Sequence, residues 1–547
     1  MRLLLETIPN LCASFKTSSM RIFVHFWLVT NLIAVRLAFG QGLSHGPVVG
    51  GVTDTTAKVF VRTDQTASVQ VRYSTDPTFT TFSSSDEFTT DGTSDFTKII
   101  SLSNLTAETN YYLDVTVDDV PQLSAPYPSF ATFPPAGTSR NFTFLVLTDF
   151  TNTKDLRETT QAFASAAATN PVFAFIGGDF DHRNPRRLTD RRAMFKELYG
   201  PDTPYMSGFV NFILRKMPIA HQWDDHDAGL NGIDKTYPAW DLSQQAFQEY
   251  MPSYQLPSVT PGIWQKFSYA QAEFFVLDCR SQRDPATDQD GPDKSMLDGN
   301  NLGGNGELQW LKDGLLASTA RWKIIFTSVI TNPTTKFPDA WAGYQTEWNS
   351  LKDYINSNDI QGTVFISGDL HLGAIDNGTR SGFPEMCVSQ PNGTGNCPTD
   401  MPGSWSEGYY DDATCKGFSL VTITTDPEQL TLMVVDELGH TQISYALGDG
   451  IPTPTPTPTP APPMITVQPV DRTVKLGRRA RFDVTATGTL PLQYQWQKNG
   501  ANILGAHRST YLTPPVTDAD NGSTFDVIVA NTSGSVTSNT ATLTVKP

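Results

Sequence analysis

His221-Gln222-Trp223-Asp224-Asp225-His226-Asp227-Ala228-Gly229-Leu230 sets three carboxylates around one histidine, just after the apolar stretch Met217-Pro218-Ile219-Ala220. Carboxylate and imidazole groups are the ligands of hard and borderline metal ions. Two other fragments share this grammar. Ile176-Gly177-Gly178-Asp179-Phe180-Asp181-His182 follows the apolar run Pro171-Val172-Phe173-Ala174-Phe175. Ser367-Gly368-Asp369-Leu370-His371 follows Thr363-Val364-Phe365-Ile366. In open α/β sheets, ligands bind at the carboxyl ends of strands. Three such ends can therefore meet and form a metal site.

The surrounding pattern supplies the elements to position them. From about residue 140 to 450, apolar strands alternate with helical stretches, as in Leu308 to Leu316 before Lys323-Ile324-Ile325-Phe326. This is the βαβ rhythm of an α/β sheet. Residues 46 to about 135 instead alternate apolar with polar, as in Ala57-Lys58-Val59-Phe60-Val61-Arg62, with turns between the runs. That pattern predicts a β-sandwich. Beyond the central region lies a tract of alternating proline and threonine, Pro452 to Pro463. Such a tract forms a semi-rigid polyproline spacer, rising ~3.1 Å per residue. Residues 464–547 again read as short strands, an immunoglobulin-like domain without its disulfide. Trp496 is expected to pack on Val484 and Val527, which stand where inter-sheet cysteines would be. This last domain serves either as a stability cap or as a carbohydrate or surface attachment. The expected limits are a leader at 1–40, a fibronectin- or immunoglobulin-like sandwich at 45–135, a catalytic domain at 140–450, a linker at 451–463 and the last domain at 464–547.

Composition narrows the function. A net charge of -17 over 547 residues argues against nucleic acid as a partner. A phosphorylated substrate stays possible, because bound cations reverse the local field. Arg21 precedes an apolar run from Ile22 to Val35. That run is short of the ~20 residues a membrane span needs. It fits the core of a signal peptide, with Ala34, Ala38 and Gly40 offering a cleavage zone and Met20 an alternative start. Export is therefore expected, to the periplasm, the medium or the cell surface. Among the cysteines, Cys279 reads as a small buried hydrophobe. Cys387, Cys397 and Cys415 fall in or beside one Gly/Asn/Pro-rich loop, where one disulfide is expected, with Cys397–Cys415 the preferred pair.

Four landmarks together resemble the PhoD-like alkaline phosphatases of the calcineurin-type metallophosphatase superfamily, over roughly residues 45–450. They are Trp223-Asp224-Asp225-His226-Asp227 with Asn231, the run from Phe275 to Asp284, Glu307-Leu308-Gln309-Trp310-Leu311 followed by Ala320-Arg321-Trp322-Lys323, and Gly368-Asp369-Leu370-His371. The resemblance implies a central domain of two packed sheets flanked by helices. It implies a site in which Asp179 bridges two metals and Asp149, His182, Asp225, Asp369 and His371 complete the shells. His226 would face the phosphate as general acid, and Asn231 would contact it. The chain departs from the family at three places. Asp149 replaces a frequent cysteine, Thr151 stands where some relatives have a histidine, and His182 replaces tyrosine. Two or more metals are implied, iron with calcium or manganese with zinc.

The implied chemistry is hydrolysis of small phosphate esters by direct attack of metal-bound hydroxide, without a phosphoenzyme. Phosphodiesterase or phospholipase activity on the same scaffold is one alternative. A cell-surface binding protein with a degenerate metal site is another, since two sandwiches and a spacer suit adhesion. A monomer is expected, with the last domain touching polysaccharide or the cell surface. Several of these residues also suit purely structural roles. Asp179 could cap a helix. Asp224, Arg280 and Arg283 suit structural ion pairs, Asp181 lies outside the site, and Asp227 orients His226.

Overall fold

The computed structural model describes residues 42–150, 160–200, 206–257, 262–298, 306–391, 404–410, 416–448, 462–488, 492–531 and 533–547. The expected leader, Thr151, Cys397, Cys415 and all of the Pro-Thr linker but its last two residues lie outside the described residues.

Two sheets form the centre. The nine-stranded sheet runs in the order Thr441–Leu447, Glu428–Asp436, Gly417–Thr425, Phe142–Leu147, Ala174–Ile176, Ile219–His221, Leu43–Gly50, Ala57–Thr63, Thr97–Leu102. The seven-stranded sheet runs Gln265–Tyr269, Ala272–Val276, Trp322–Thr327, Thr363–Ser367, Pro384–Cys387, Ala374–Asn377, Gly408–Tyr409. Each has a parallel heart. In the first, Phe142–Leu147, Ala174–Ile176 and Ile219–His221 are parallel. In the second, the four strands from Ala272–Val276 to Pro384–Cys387 are. Parallel strands covered on both faces need near-continuous apolar sequence. Trp322–Thr327 and Thr363–Ser367 accordingly bury every residue.

The sheets face each other through aromatic rings. Phe175 stacks on Phe326, and Phe144 contacts Phe173 and Phe274. Helices cover the outer faces. Thr160–Ala168, Leu188–Tyr199 and Trp240–Tyr250 share an apolar cluster with the nine-stranded sheet. Glu307–Ala317 and Gln345–Ser357 share one with the seven-stranded sheet. Gln345–Ser357 buries Trp348, Leu351 and Ile355, the spacing of one helical face. Each such side chain contributes roughly 1.5–3 kcal/mol by leaving water.

The N-terminal strands depart from a self-contained sandwich. Leu43–Gly50, Ala57–Thr63 and Thr97–Leu102 belong to the central nine-stranded sheet, joined by a parallel pairing of Gly50 with Ile219. Ala67–Ser74 and Asn110–Val117 carry the other N-terminal sheet. The reason is edge satisfaction. Ile219–His221 would otherwise present unpaired backbone groups at a sheet edge. Alternation along a strand reports which face is buried, not which strand lies beside it.

Residues 462–547 form β-strands around their own apolar cluster. Trp496 is fully buried there, together with Val484, Val527, Phe482 and Phe525. Its indole N–H donates to the Arg508 carbonyl at 2.8 Å, so the ring buries no unpaired donor.

Candidate metal centre

The parallel strands of both sheets send their following loops to one end. Leu147 leads into Thr148-Asp149, Ile176 into Gly177-Gly178-Asp179, and His221 into the short helix Asp225–Ala228. From the other sheet, Val276 leads to Arg280, Thr327 to Lys336, and Ser367 to Asp369 and His371. The turns are sharp. Asp149, Asp179, Asp369 and His371 all adopt left-handed backbone conformations, with φ of 54°, 52°, 67° and 57°. Non-glycine residues held in this way are uncommon and concentrate at functional sites. Two glycines allow the loops to touch. A Cβ on Gly178 would lie 2.6 Å from the Asp224 nitrogen, and one on Gly368 would lie 2.6 Å from Thr148 Oγ1.

Three sets of ligand atoms converge within 4.8 Å: Asp149, His182 and His371; Asp179, His182 and His226; Asp179, Asp224 and Asp225. Asp179 and His182 each belong to two sets, so the sets form one continuous centre. His371 Nε2 lies 3.7 Å from Asp149, His182 Nε2 3.7 Å from Asp179, and His226 Nε2 3.8 Å from Asp225. The His182 ring sits between the others, 4.6 Å from that of His226 and 5.1 Å from that of His371. His182 Nδ1 lies 3.1 Å from the Phe150 carbonyl. A carbonyl only accepts, so Nδ1 carries the proton and Nε2 faces the carboxylates with its lone pair.

The polar atoms here are buried and unpartnered. Both carboxylate oxygens of Asp149, one each of Asp179, Asp225 and Asp369, and His182 Nε2 make no hydrogen bond. Most buried polar atoms find a partner, and a buried charge left alone costs several kcal/mol. Burial pushes the Asp149 and Asp179 carboxyls up, with neighbouring aspartates adding to the effect at Asp179. Burial drives His182 down to about 3, aided by His371 and His226. Orphaned hard oxygens and neutral imidazoles are the donor set that iron, manganese, zinc or calcium would satisfy.

The expected residues divide in the structure. Asp149, Asp179, His182, Asp225 and His371 lie in the converging sets. Asp369 stands apart from them, with its carboxylate against the Lys336 ammonium and 3.5 Å from Arg280. His226 shares a set with Asp179 and His182, so its place permits ligation as well as proton transfer. Asp224 also lies in a set, yet it is gripped by the Arg280 guanidinium and by Ser328 Oγ at 2.8 Å. Burial pushes the Asp224 carboxyl up, but Arg280 outweighs it and holds it below the usual range. Arg280 and Arg283 both pair with Asp339, the structural role foreseen for them.

Asp181 pairs with Arg183, outside the centre. Asn231 is exposed, and its backbone N–H donates to Asn184 Oδ1 at 2.8 Å. Asp227 does not reach the His226 ring. Its carboxylate accepts the backbone N–H groups of Asp179, Phe180 and Asp224 at 2.6, 2.9 and 3.1 Å, holding the Asp179 loop in place. His221 is likewise outside the centre, buried against Phe180 and Phe247, and burial takes it down to about 3. Cys279 is buried as expected, and Cys387 ends a buried strand as a free thiol.

Residue types alone did not reveal Asn184, Lys336 or Gln390. Asn184 contacts His226, Gln390 contacts His371, and Lys336 donates to Asp369. Lys336 had one usable signal: it lies in the loop after an apolar strand, where α/β sites are built.

Residues 209–389 match the family model of the PhoD-like phosphatases, and residues 40–135 match a domain of unknown function (DUF7800). Alkaline phosphatase D of Bacillus subtilis (strain 168) is 30% identical over 181 residues, or 28% of this chain and 31% of that protein. The chain thus aligns with about a third of that relative's length. A solved structure of PhoD superposes with a TM-score of 0.57 at 18% identity, covering 73% of this chain and 89% of that one. Purple acid phosphatase PPD1 from yellow lupin (Lupinus luteus) seeds gives 0.53 at 11% identity, covering 74% of each. At these identities the likeness to the solved structures is one of fold.

Proposed function

We propose that this protein is an exported, metal-dependent hydrolase of phosphate esters, a reading supported by the match of residues 209–389 to the PhoD-like phosphatase family model. One observation carries the reading: five buried ligand atoms of Asp149, Asp179, His182 and Asp225, all residues of the converging sets, have no hydrogen-bond partner. Asp179 would be shared between two cations. Asp149, His182 and His371 would hold one of them, and Asp225 and Asp369 the other. Bound there, such a pair neutralises the phosphoryl oxygens and lowers the pKa of water toward ~7.

The chain's own groups do the rest. His226 presents Nε2 at the rim of the centre, where it can hold the proton that the leaving oxygen takes. Asp227 fixes the Asp179 turn through three backbone N–H groups. Arg280 neutralises Asp224 and approaches Asp225 at 3.3 Å, so the centre's charge is partly balanced before any cation enters. Lys336, on the Asp369 side, retains partial exposure and can meet an anionic substrate.

Residues 1–40 act as a cleaved signal peptide. Residues 464–547 form an immunoglobulin-like domain that touches the cell surface or polysaccharide, in a monomeric protein. Among the described residues, no helix is long and apolar enough to cross a membrane.

The test is a substrate panel on the purified protein, combining a p-nitrophenyl monoester, a bis-p-nitrophenyl diester and a phospholipid, with elemental analysis alongside. Metal together with ester hydrolysis is expected. Protein that retains no metal and hydrolyses none of the esters would refute the reading.

A further inference from the structure

Asn184 lies two residues beyond His182, in the left-handed region with φ of 56°. It joins three parts of the centre. Its Oδ1 accepts the Asn231 backbone N–H at 2.8 Å and lies 2.9 Å from His226 Nδ1. Its Nδ2 donates to the His182 carbonyl at 3.3 Å. The bonds fix which amide atom is which. A backbone N–H can only donate, so the atom facing Asn231 is the oxygen. An amide oxygen can only accept, so His226 Nδ1 must be the nitrogen that carries hydrogen. Nε2 is then the nitrogen free to exchange a proton, and it is the one turned toward the centre, 3.8 Å from Asp225 Oδ1.

We propose that Asn184 is a positioning residue that sets the tautomer and ring orientation of His226, so that Nε2 alone serves the leaving oxygen. This rests on the reading of His226 as proton donor. The partner's type matters. A carboxylate in this place would orient the ring and add a negative charge beside several others. The amide orients it without that charge. The elements involved come from different strands: Asn184 follows Ala174–Ile176, and His226 and Asn231 follow Ile219–His221. A loop staple alone would need only the Asn231 bond. The His226 bond adds nothing to the staple and decides which ring nitrogen is protonated.

The experiment compares kcat on an alkyl phosphate with kcat on p-nitrophenyl phosphate, whose leaving group barely needs protonation. It uses the metal-loaded full chain, with metal content measured for each variant. Asn184→Leu removes the acceptor at similar volume, and Asn184→Ala does so without crowding. Either is expected to lower the alkyl-to-nitrophenyl ratio by ~10–100-fold, with metal content retained. Asn184→Asp keeps an acceptor for both donors and is expected to restore the ratio. If His226→Ala lowers the ratio and neither acceptor-less variant does, Asn184 is only a loop staple and the proposal fails. If His226→Ala itself leaves the ratio unchanged, the proton-donor reading fails first, and the proposal with it.

Discussion

Glu385 is buried at the edge of the centre and ties two of its loops together. Oε1 accepts the Thr331 backbone N–H at 2.8 Å and the Ser367 hydroxyl at 2.7 Å, and Oε2 lies 2.6 Å from Thr331 Oγ1. Thr331 opens the loop to Lys336, and Ser367 the loop to Asp369 and His371. Burial pushes the carboxyl from its ordinary 4.5 up to about 7, although those hydrogen bonds pull the other way. The folded chain therefore binds a proton that the unfolded chain has already released. Glu385 contributes its stability in full below pH 4.5 and loses it as pH rises through about 7. At ~1.4 kcal/mol per pH unit, the interval amounts to ~3 kcal/mol. Glu385→Gln cannot ionise and should lack this slope. Urea unfolding of both proteins at pH 5 and pH 8, with chelator throughout, measures the difference. The wild type should lose ~2–3 kcal/mol relative to the variant over that range. A constant difference between the two proteins would show that Glu385 ionises normally where it lies, and the argument from burial would be wrong.

Other consequences can be checked in parallel. Asp179→Asn should lose most bound metal together with activity; full occupancy by elemental analysis would remove the bridging role. Asp227→Asn keeps the shape but turns an N–H group toward at least one backbone donor, so the metal-free protein should lose ~2–4 kcal/mol in chemical denaturation. A loss below ~0.5 kcal/mol would mean that those three bonds do not hold the turn. A chain ending at about Gly450 should keep hydrolysis of a small soluble ester, because every residue of the converging sets precedes it and the last strands pack around their own apolar cluster. A folded but inactive product would place part of the site in the last domain.

The local grammar of the centre is legible in the sequence. Asp149, Asp179, Asp225, Asp369 and His371 each follow an apolar strand, and parallel strands packed in one direction deliver their following loops to one end. The α/β rhythm of residues 140–450, the helix near Leu308–Leu316 and the burial of Trp496 are also short-range patterns. Each depends on which residues lie within one strand or one helical turn. The sheet that the first N-terminal strands join is not legible in this way. Period-two alternation is the same whether a strand pairs within its own module or, as Gly50 does, with Ile219 of the next.

The residue types and their placement at strand ends were thus determined by the sequence itself, because strand burial and loop chemistry are local. Which polar groups meet was decided by the tertiary structure. Asp227 lies 48 residues from the Asp179 nitrogen it accepts, Asn184 42 from His226, and Glu385 54 from Thr331. Arg280 reaches Asp224 across 56 residues. No periodicity encodes such pairs. A buried hydrogen bond is selected by distance and direction after the sheets have packed, and an aspartate that grips backbone has the same letter as one left free for a cation.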